Sequence, residues 1–258
     1  MIIPMIQYND FGGIFLMQLT VKIYSDGAEL SAMKDVAAKG LVEGFTTNPS
    51  LMKAAGITDY LAFAKEAVAT FPDRSISFEV FGNTPARMLA EAKVLAALGP
   101  NVAVKVPVIR ANGEDNAEVI HQLSTAGVKV NVTAITTLTQ VKLAVDALNP
   151  EVGGIVSVFA GRIADTGVNP LPVMTQAATL CHTKPNVELL WASTREVFNI
   201  VQADQTGCDI ITVPPKILGK LSKFDTPALQ VSVDTVKTFD HDIAELGFTI
   251  PVDSVSAE

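Results

Sequence analysis

Lys105 stands at the centre of VAVKVPV (102–108), a run whose other side chains are all apolar. An apolar strand penalises an ammonium ion, and a neutral primary amine is the species that attacks a ketone. The resulting iminium draws electrons and stabilises the carbanion left when the bond between the third and fourth carbons of a ketose breaks. Such chemistry also needs an acid or base, and Asp26 and Glu79 are carboxylates near the ends of two other β-rich runs. Glu79 together with Thr133 is suited to hold a water. The competing reading of Lys105 is an ion-paired core lysine with Glu79 as partner. A purely structural pair has no need of Asp26, Asn131 and Thr133 beside it, and this favours chemistry.

These side chains need a frame that brings distant segments together. Eight short β-rich runs recur: VKIYSD (21–26), GFTTN (44–48), SISFEVF (75–81), VAVKVPV (102–108), VKVNVTAI (128–135), GIVSVFA (154–160), VELLWAS (187–193) and DIITVP (209–214). Helix-period stretches lie between them, among them 28–39, 84–98, 116–126, 138–148 and 194–205. Strand then helix, repeated eight times, predicts an α/β protein with a closed parallel (β/α)8 TIM barrel as a single domain. The expected organisation is an N-terminal extension over 1–20, the barrel with a C-terminal helix (226–246) over 21–247, and an irregular tail over 248–258.

In a parallel barrel the outward face of each strand is covered by helices and is apolar, while polar groups gather inside near the C-terminal mouth. Val102, Val104, Val106 and Val108 share one parity and Ala103, Lys105 and Pro107 the other. The same rule sets Ile76, Phe78 and Val80 against Ser75, Ser77 and Glu79, and Val128, Val130 and Val132 against Lys129, Asn131 and Thr133. Applied throughout, it turns Thr46 inward and predicts a polar ring of Asp26, Asn48, Glu79, Lys105, Asn131, Thr133, Ser157 and Ser193. Lys22 and Lys129 also face inward, but early in their strands, and read as structural. Asp26 has an alternative reading as a helix N-cap, and Asn48 as a turn residue ahead of Pro49. Arg162 follows strand 6 and Arg195 opens the helix after strand 7. With Ser193 they form a candidate phosphate site.

Composition narrows the function. The 258 residues carry a formal charge of −8, and Lys and Arg never cluster, which argues against nucleic acid and anionic membrane as partners. Cys181 and Cys208 are the only cysteines and form no C-x-x-C pair, so no disulfide framework is indicated and a reducing cytoplasm fits. His121, His182 and His241 fall away from the strand ends, which disfavours metal-dependent aldol chemistry. The opening MIIPMIQYNDFGGIFLMQ lacks a basic region and reads as an extension, with Met17 an alternative start.

YSDGA (24–28), FTTNPSLM (45–52), SFEV (77–80), VAVKVPV (102–108), KVNVTAI (129–135), SVFAGRIADTG (157–167) and WASTRE (191–196) together resemble the transaldolases of the short microbial type, which includes fructose 6-phosphate aldolases. The resemblance implies a barrel of class I aldolase type. It also implies a Schiff-base lysine at Lys105, an acid/base aspartate at Asp26 and a water-binding pair at Glu79 and Thr133. It places Asn48 and Asn131 on substrate hydroxyls, with Thr47 in the same set, and Ser157, Arg162, Ser193 and Arg195 around the substrate, the arginines on phosphate. No metal or organic cofactor is implied. A pentameric or decameric homo-oligomer is implied, with Phe248 packing across an interface. The expected activity is transfer of a dihydroxyacetone unit between sugar phosphates. The alternatives are an aldolase releasing free dihydroxyacetone, action on another anionic ketose such as a sulfonate, and a barrel that only binds sugar phosphates. Thr136 and Thr194 stand where the family usually has aromatic residues, and Val158 where proline is usual, and the loop 109–116 is unusual; Glu79 favours transfer over simple aldol cleavage.

Overall fold

The structure is a computed structural model, and it describes residues 4–8, 14–224 and 226–251. Eight parallel strands close into a ring: β1 (Lys22–Asp26), β2 (Gly44–Thr46), β3 (Ser75–Glu79), β4 (Val102–Pro107), β5 (Val130–Ile135), β6 (Gly154–Val158), β7 (Val187–Trp191) and β8 (Ile210–Val213). They are hydrogen-bonded in chain order, and β8 pairs back onto β1 with Ile210 opposite Lys22, so the predicted (β/α)8 barrel is the fold.

The helices are α1 (Leu30–Ala38), α2 (Pro49–Ala54), α3 (Tyr60–Thr70), α4 (Pro85–Ala96), α5 (Ala117–Thr125), α6 (Leu138–Ala147), α7 (Ala160–Asp165), α8 (Leu171–Cys181), α9 (Asn199–Gln205), α10 (Pro215–Leu218) and α11 (Ala228–Leu246). Local chemistry sets several starts. Thr84 caps α4, with Pro85 supplying a first-turn position that needs no N–H. Thr137 and Gln140 form a reciprocal capping box on α6. The helix expected over 194–205 begins only at Asn199, so Arg195 lies in the loop and does not open the helix. The Asn199 side-chain carbonyl accepts from the N–H groups of Arg195 (2.9 Å) and Glu196 (3.1 Å), which folds that loop back on the helix instead of extending it.

Strand parity sorts the side chains as alternation requires. Ile76, Phe78, Val104, Val106, Val130 and Val132 are fully buried in the shell between strands and helices. The barrel interior is layered. At the N-terminal end Glu188 accepts from Lys22 (2.7 Å) and Lys129 (3.3 Å). Burial opposes ionisation of Glu188, yet the Lys22 hydrogen bond and the two lysine charges outweigh it and hold the carboxyl below its ordinary range. Both lysines are therefore structural, as their early strand positions predicted. Tyr24, Ala103, Ile155, Leu190, Ala192 and Ile210 form a separate buried apolar cluster.

Outside the ring, Pro4–Tyr8 and Ile14–Gln18 pair antiparallel, a ribbon within the segment read as an extension. The irregular tail expected at the C-terminus falls beyond residue 251 for the most part and so outside the described residues. The 19-residue α11 ends at Gly247 in the left-handed conformation and has no buried residue in the single chain. Among the described residues no helix is long and apolar enough to cross a membrane.

Candidate active site

A cavity of about 450 Å³ opens at the C-terminal mouth, and Asp26, Asn48, Glu79, Lys105, Thr133, Ser157, Arg162, Ser193 and Arg195 all line it. Lys105 and Glu79 are directly opposed on neighbouring strands. Lys105 is only 6% exposed; its Nζ donates to the Thr47 carbonyl (2.7 Å) and lies 3.2 Å from Glu79 Oε2. The ion pair foreseen as the competing reading is thus present. It lies in the wall of an open cavity, however, and not in a closed core. The main chain of Glu79 is tied down by Tyr60, whose hydroxyl donates to the Glu79 carbonyl at 2.9 Å. Burial raises the Tyr60 pKa, so this donor keeps its proton.

Asp26 does not cap the following helix: α1 starts at Leu30, and the Asp26 carboxylate accepts from the Thr46 hydroxyl at 2.8 Å. Thr46 in turn shares a 2.5 Å hydrogen bond with Thr212. Burial raises the Asp26 pKa, and the Lys105 charge and the Thr46 hydrogen bond offset this only in part. A carboxyl so placed is well suited to accept and return a proton.

Thr133 is 1% exposed, and its Oγ1 has no protein partner although it lines the cavity. An unpaired hydroxyl at that depth needs a water or a ligand atom. Strand alternation turns it inward, and a β-bulge follows, the register between β5 and β6 shifting between Val132 and Ile135 with Ala134 at φ 61°. The bulge sets two successive residues, Thr133 and Ala134, on the cavity wall.

Two predicted residues do not line the cavity. Thr47 is fully buried, its hydroxyl donating to the Ser77 carbonyl (3.0 Å) while its own carbonyl receives Lys105. Asn131 lies a layer deeper, donating to Ser77 Oγ (3.0 Å) and accepting from Ser157 Oγ (2.6 Å), so both ends of its amide are engaged. Asn48 caps α2, its Oδ1 accepting from the Leu51 N–H (3.0 Å), and it also lines the cavity.

Arg162 lies over the Phe159 ring, 5.0 Å from its centroid. Arg195 donates through Nε and Nη2 to both oxygens of Asp165, whose carboxyl is held below its ordinary range by that hydrogen bond and by the charges of Arg195 and Arg162. Thr46, Ala134, Phe159, Leu190 and Thr212 also line the cavity and were absent from the predicted site. Parity had turned Thr46 inward, whereas nothing in the sequence announces a left-handed alanine.

Thr136 is exposed and tied to Gln140, outside the cavity wall. Thr194 is buried and donates to the Thr212 carbonyl at 2.7 Å.

Comparison with known proteins bears on the family and the fold. The family profile described as "Transaldolase/Fructose-6-phosphate aldolase" matches residues 23–255. A "Probable transaldolase" of Dehalococcoides mccartyi is 32% identical over 199 residues, covering 77% of this chain and 88% of the relative. One from Erythrobacter litoralis is 34% identical over 203 residues, covering 78% and 89%. Among solved structures, 3-hexulose-6-phosphate synthase from Salmonella typhimurium superposes with a TM-score of 0.56 at 14% identity, covering 79% of this chain and 98% of that one. The 2,3-dimethylmalate lyase structure gives 0.51 at 13% identity, with coverage of 89% and 84%. At such identity these two support the barrel fold alone.

Proposed function

The chain belongs to the transaldolase/fructose-6-phosphate aldolase family, and we propose that it is a Schiff-base transaldolase moving a dihydroxyacetone unit from a ketose phosphate to an aldose phosphate. The observation that carries this reading is a nearly buried lysine amine opening onto a cavity it shares with a desolvated aspartate and an unpartnered threonine hydroxyl.

Lys105 Nζ gives up a proton, with Glu79 the nearest carboxylate, and adds to the C2 carbonyl of the ketose. Loss of water from the carbinolamine leaves an iminium. Asp26 takes the proton of the C4 hydroxyl, the C3–C4 bond breaks, and its electrons pass to the iminium nitrogen to form an enamine while the aldehyde departs. The enamine carbon then attacks the acceptor aldehyde, and Asp26 returns the proton to the new alkoxide. A water held between Glu79 and the free Thr133 hydroxyl adds to the iminium and releases the product. Asn48 and Ser157 take substrate hydroxyls, Asn131 holds Ser157 from below, and Arg162, Ser193 and Arg195 receive the phosphate.

The test is reduction by sodium borohydride in the presence of fructose 6-phosphate, with and without erythrose 4-phosphate, followed by intact mass and peptide mapping. A dihydroxyacetone-sized adduct on Lys105 that vanishes with acceptor is the expected result. An adduct with steady ketose turnover in the absence of acceptor would make the protein an aldolase, and no adduct would overturn the Schiff base.

We propose further that the protein is a homo-oligomer assembled through α11. Leu229, Val236 and Ile243 recur every seven residues, as do Phe239 and Leu246, and all five are more than half exposed in the single chain. Phe248, 72% exposed just past the helix end, extends the same apolar surface. The double variant Phe239→Asp/Ile243→Asp is expected to reduce the mass measured by light scattering to that of one chain; an unchanged oligomeric mass would remove α11 from the interface.

A further inference from the structure

Ser193 is one of three non-glycine residues with positive φ among the described residues, at 66°, and it lines the same cavity as Arg162 and Arg195. A side chain in the left-handed region is strained, and strain of this kind persists only where the surroundings enforce it. Two neighbours enforce it here. Gly161, in the first turn of α7, packs its bare Cα against Ser193: a Cβ built on Gly161 would fall 1.7 Å from the Ser193 carbonyl oxygen and 3.1 Å from its hydroxyl. On the other side Thr194 is buried, and its hydroxyl anchors the chain to the Thr212 carbonyl of β8 at 2.7 Å. The φ of Gly161 is not positive, so its need for glycine is steric closeness and not backbone freedom.

We infer that Gly161 and Thr194 are positioning residues: one by lacking a side chain and the other by its bond to β8, they clamp Ser193 in the left-handed conformation that sets its polar groups on the anion-binding rim with Arg162 and Arg195. This rests on the phosphate-site reading above. It also gives Thr194 a function at the position where an aromatic residue is usual: a buried hydroxyl supplies a directional tether that a ring cannot.

Isothermal titration with inorganic phosphate, alongside thermal unfolding, tests the clamp. Wild-type protein is expected to bind phosphate. Gly161→Ala and Thr194→Val should each weaken binding by about tenfold or more, the scale of one charge-assisted hydrogen bond. Thr194→Ser, which keeps the hydroxyl, should restore binding to near the wild-type level, a rescue that a purely packing role for Thr194 would not produce. Ser193→Gly should raise Tm by about 2–4 °C by removing the left-handed penalty, while weakening phosphate binding. Borohydride trapping of unphosphorylated dihydroxyacetone on Lys105 should be unchanged in Thr194→Val, Thr194→Ser and any folded Gly161→Ala, because none of these residues lines the cavity at the carbonyl end.

If wild-type protein binds no phosphate, the phosphate-site reading itself fails and the inference falls with it. If wild-type binds but Thr194→Val and any folded Gly161→Ala bind equally well, or if Ser193→Gly does not raise Tm, only the clamp is overturned. Should Gly161→Ala not fold, the Thr194 and Ser193 variants decide the matter.

Discussion

Lys105→Met is expected to fold normally and to lose turnover by about 10⁴-fold or more, because in the proposed mechanism the Lys105 amine supplies the iminium on which bond cleavage depends. Methionine fills nearly the same volume, and Glu79, which it leaves without its cation, faces an open cavity and can be hydrated. Circular dichroism and thermal unfolding would check the fold, and single-turnover assays the chemistry. Retained activity, or a borohydride adduct that maps elsewhere, would sink the assignment of Lys105. Collapse of the fold with no soluble protein would instead assign the lysine to stability, the reading that the Lys105–Glu79 pair supports when taken alone.

Asp26→Asn should lower kcat by about 10²–10⁴-fold, the range associated with a positioned acid/base group, while leaving the Lys105 adduct trappable. Its effect on stability should run the other way. Burial raises the folded-state pKa of Asp26 above its unfolded value, so the native state binds this proton more tightly. The stabilisation from that proton is fully present below the unfolded pKa and is lost as pH rises through the folded value. Above the folded-state value the ionised, desolvated carboxylate is therefore a liability that asparagine removes. The variant should unfold at the same or a higher temperature than wild type at pH 7, with the difference closing towards pH 4. The acid limb of the wild-type kcat profile should lie above the ordinary carboxylate range and vanish in the variant. If the limb survives Asp26→Asn, another group carries the proton.

The balance of charges at the rim bears on how the substrate is held. Arg195 is already paired with Asp165 through two of its donors, so in the proposed phosphate site its guanidinium is oriented by a protein partner. Arg162 is fixed in a different way, by stacking on Phe159. Under the proposed phosphate role both arginines are thus held by protein partners beforehand, which reduces the entropy lost on binding. Both partners lie within the SVFAGRIADTG run, but their contacts with the arginines follow from the fold and not from spacing.

Much of this protein was legible in its sequence because the signals involved are periodic. Alternation in strands is a consequence of backbone geometry, and in a barrel the outward half must be apolar. That was enough to place Lys105, Glu79, Asp26, Thr133, Ser157 and Ser193 on one cavity and to relegate Lys22 and Lys129 to the far end. Parity could not tell depth. Asn131 and Thr133 share a face, yet Asn131 is locked under Ser157 and only Thr133, two residues nearer the mouth, meets the cavity. Nor could it tell which oxygen a buried group would choose: Thr47 serves Lys105 through its carbonyl, a contact that any residue type could make.

What the amino-acid sequence determined by itself was the order of elements and the face each side chain takes, since both follow from local periodicity and from the need to bury apolar surface. What only the tertiary structure decided was contact across strands that are distant in the chain: the pairing of Arg195 with Asp165, the bond between Thr46 and Thr212, and the press of Gly161 against Ser193. Those depend on how the ring closes and on a few left-handed backbone angles, and such angles are set by neighbours in space, which leave no periodic trace along the chain.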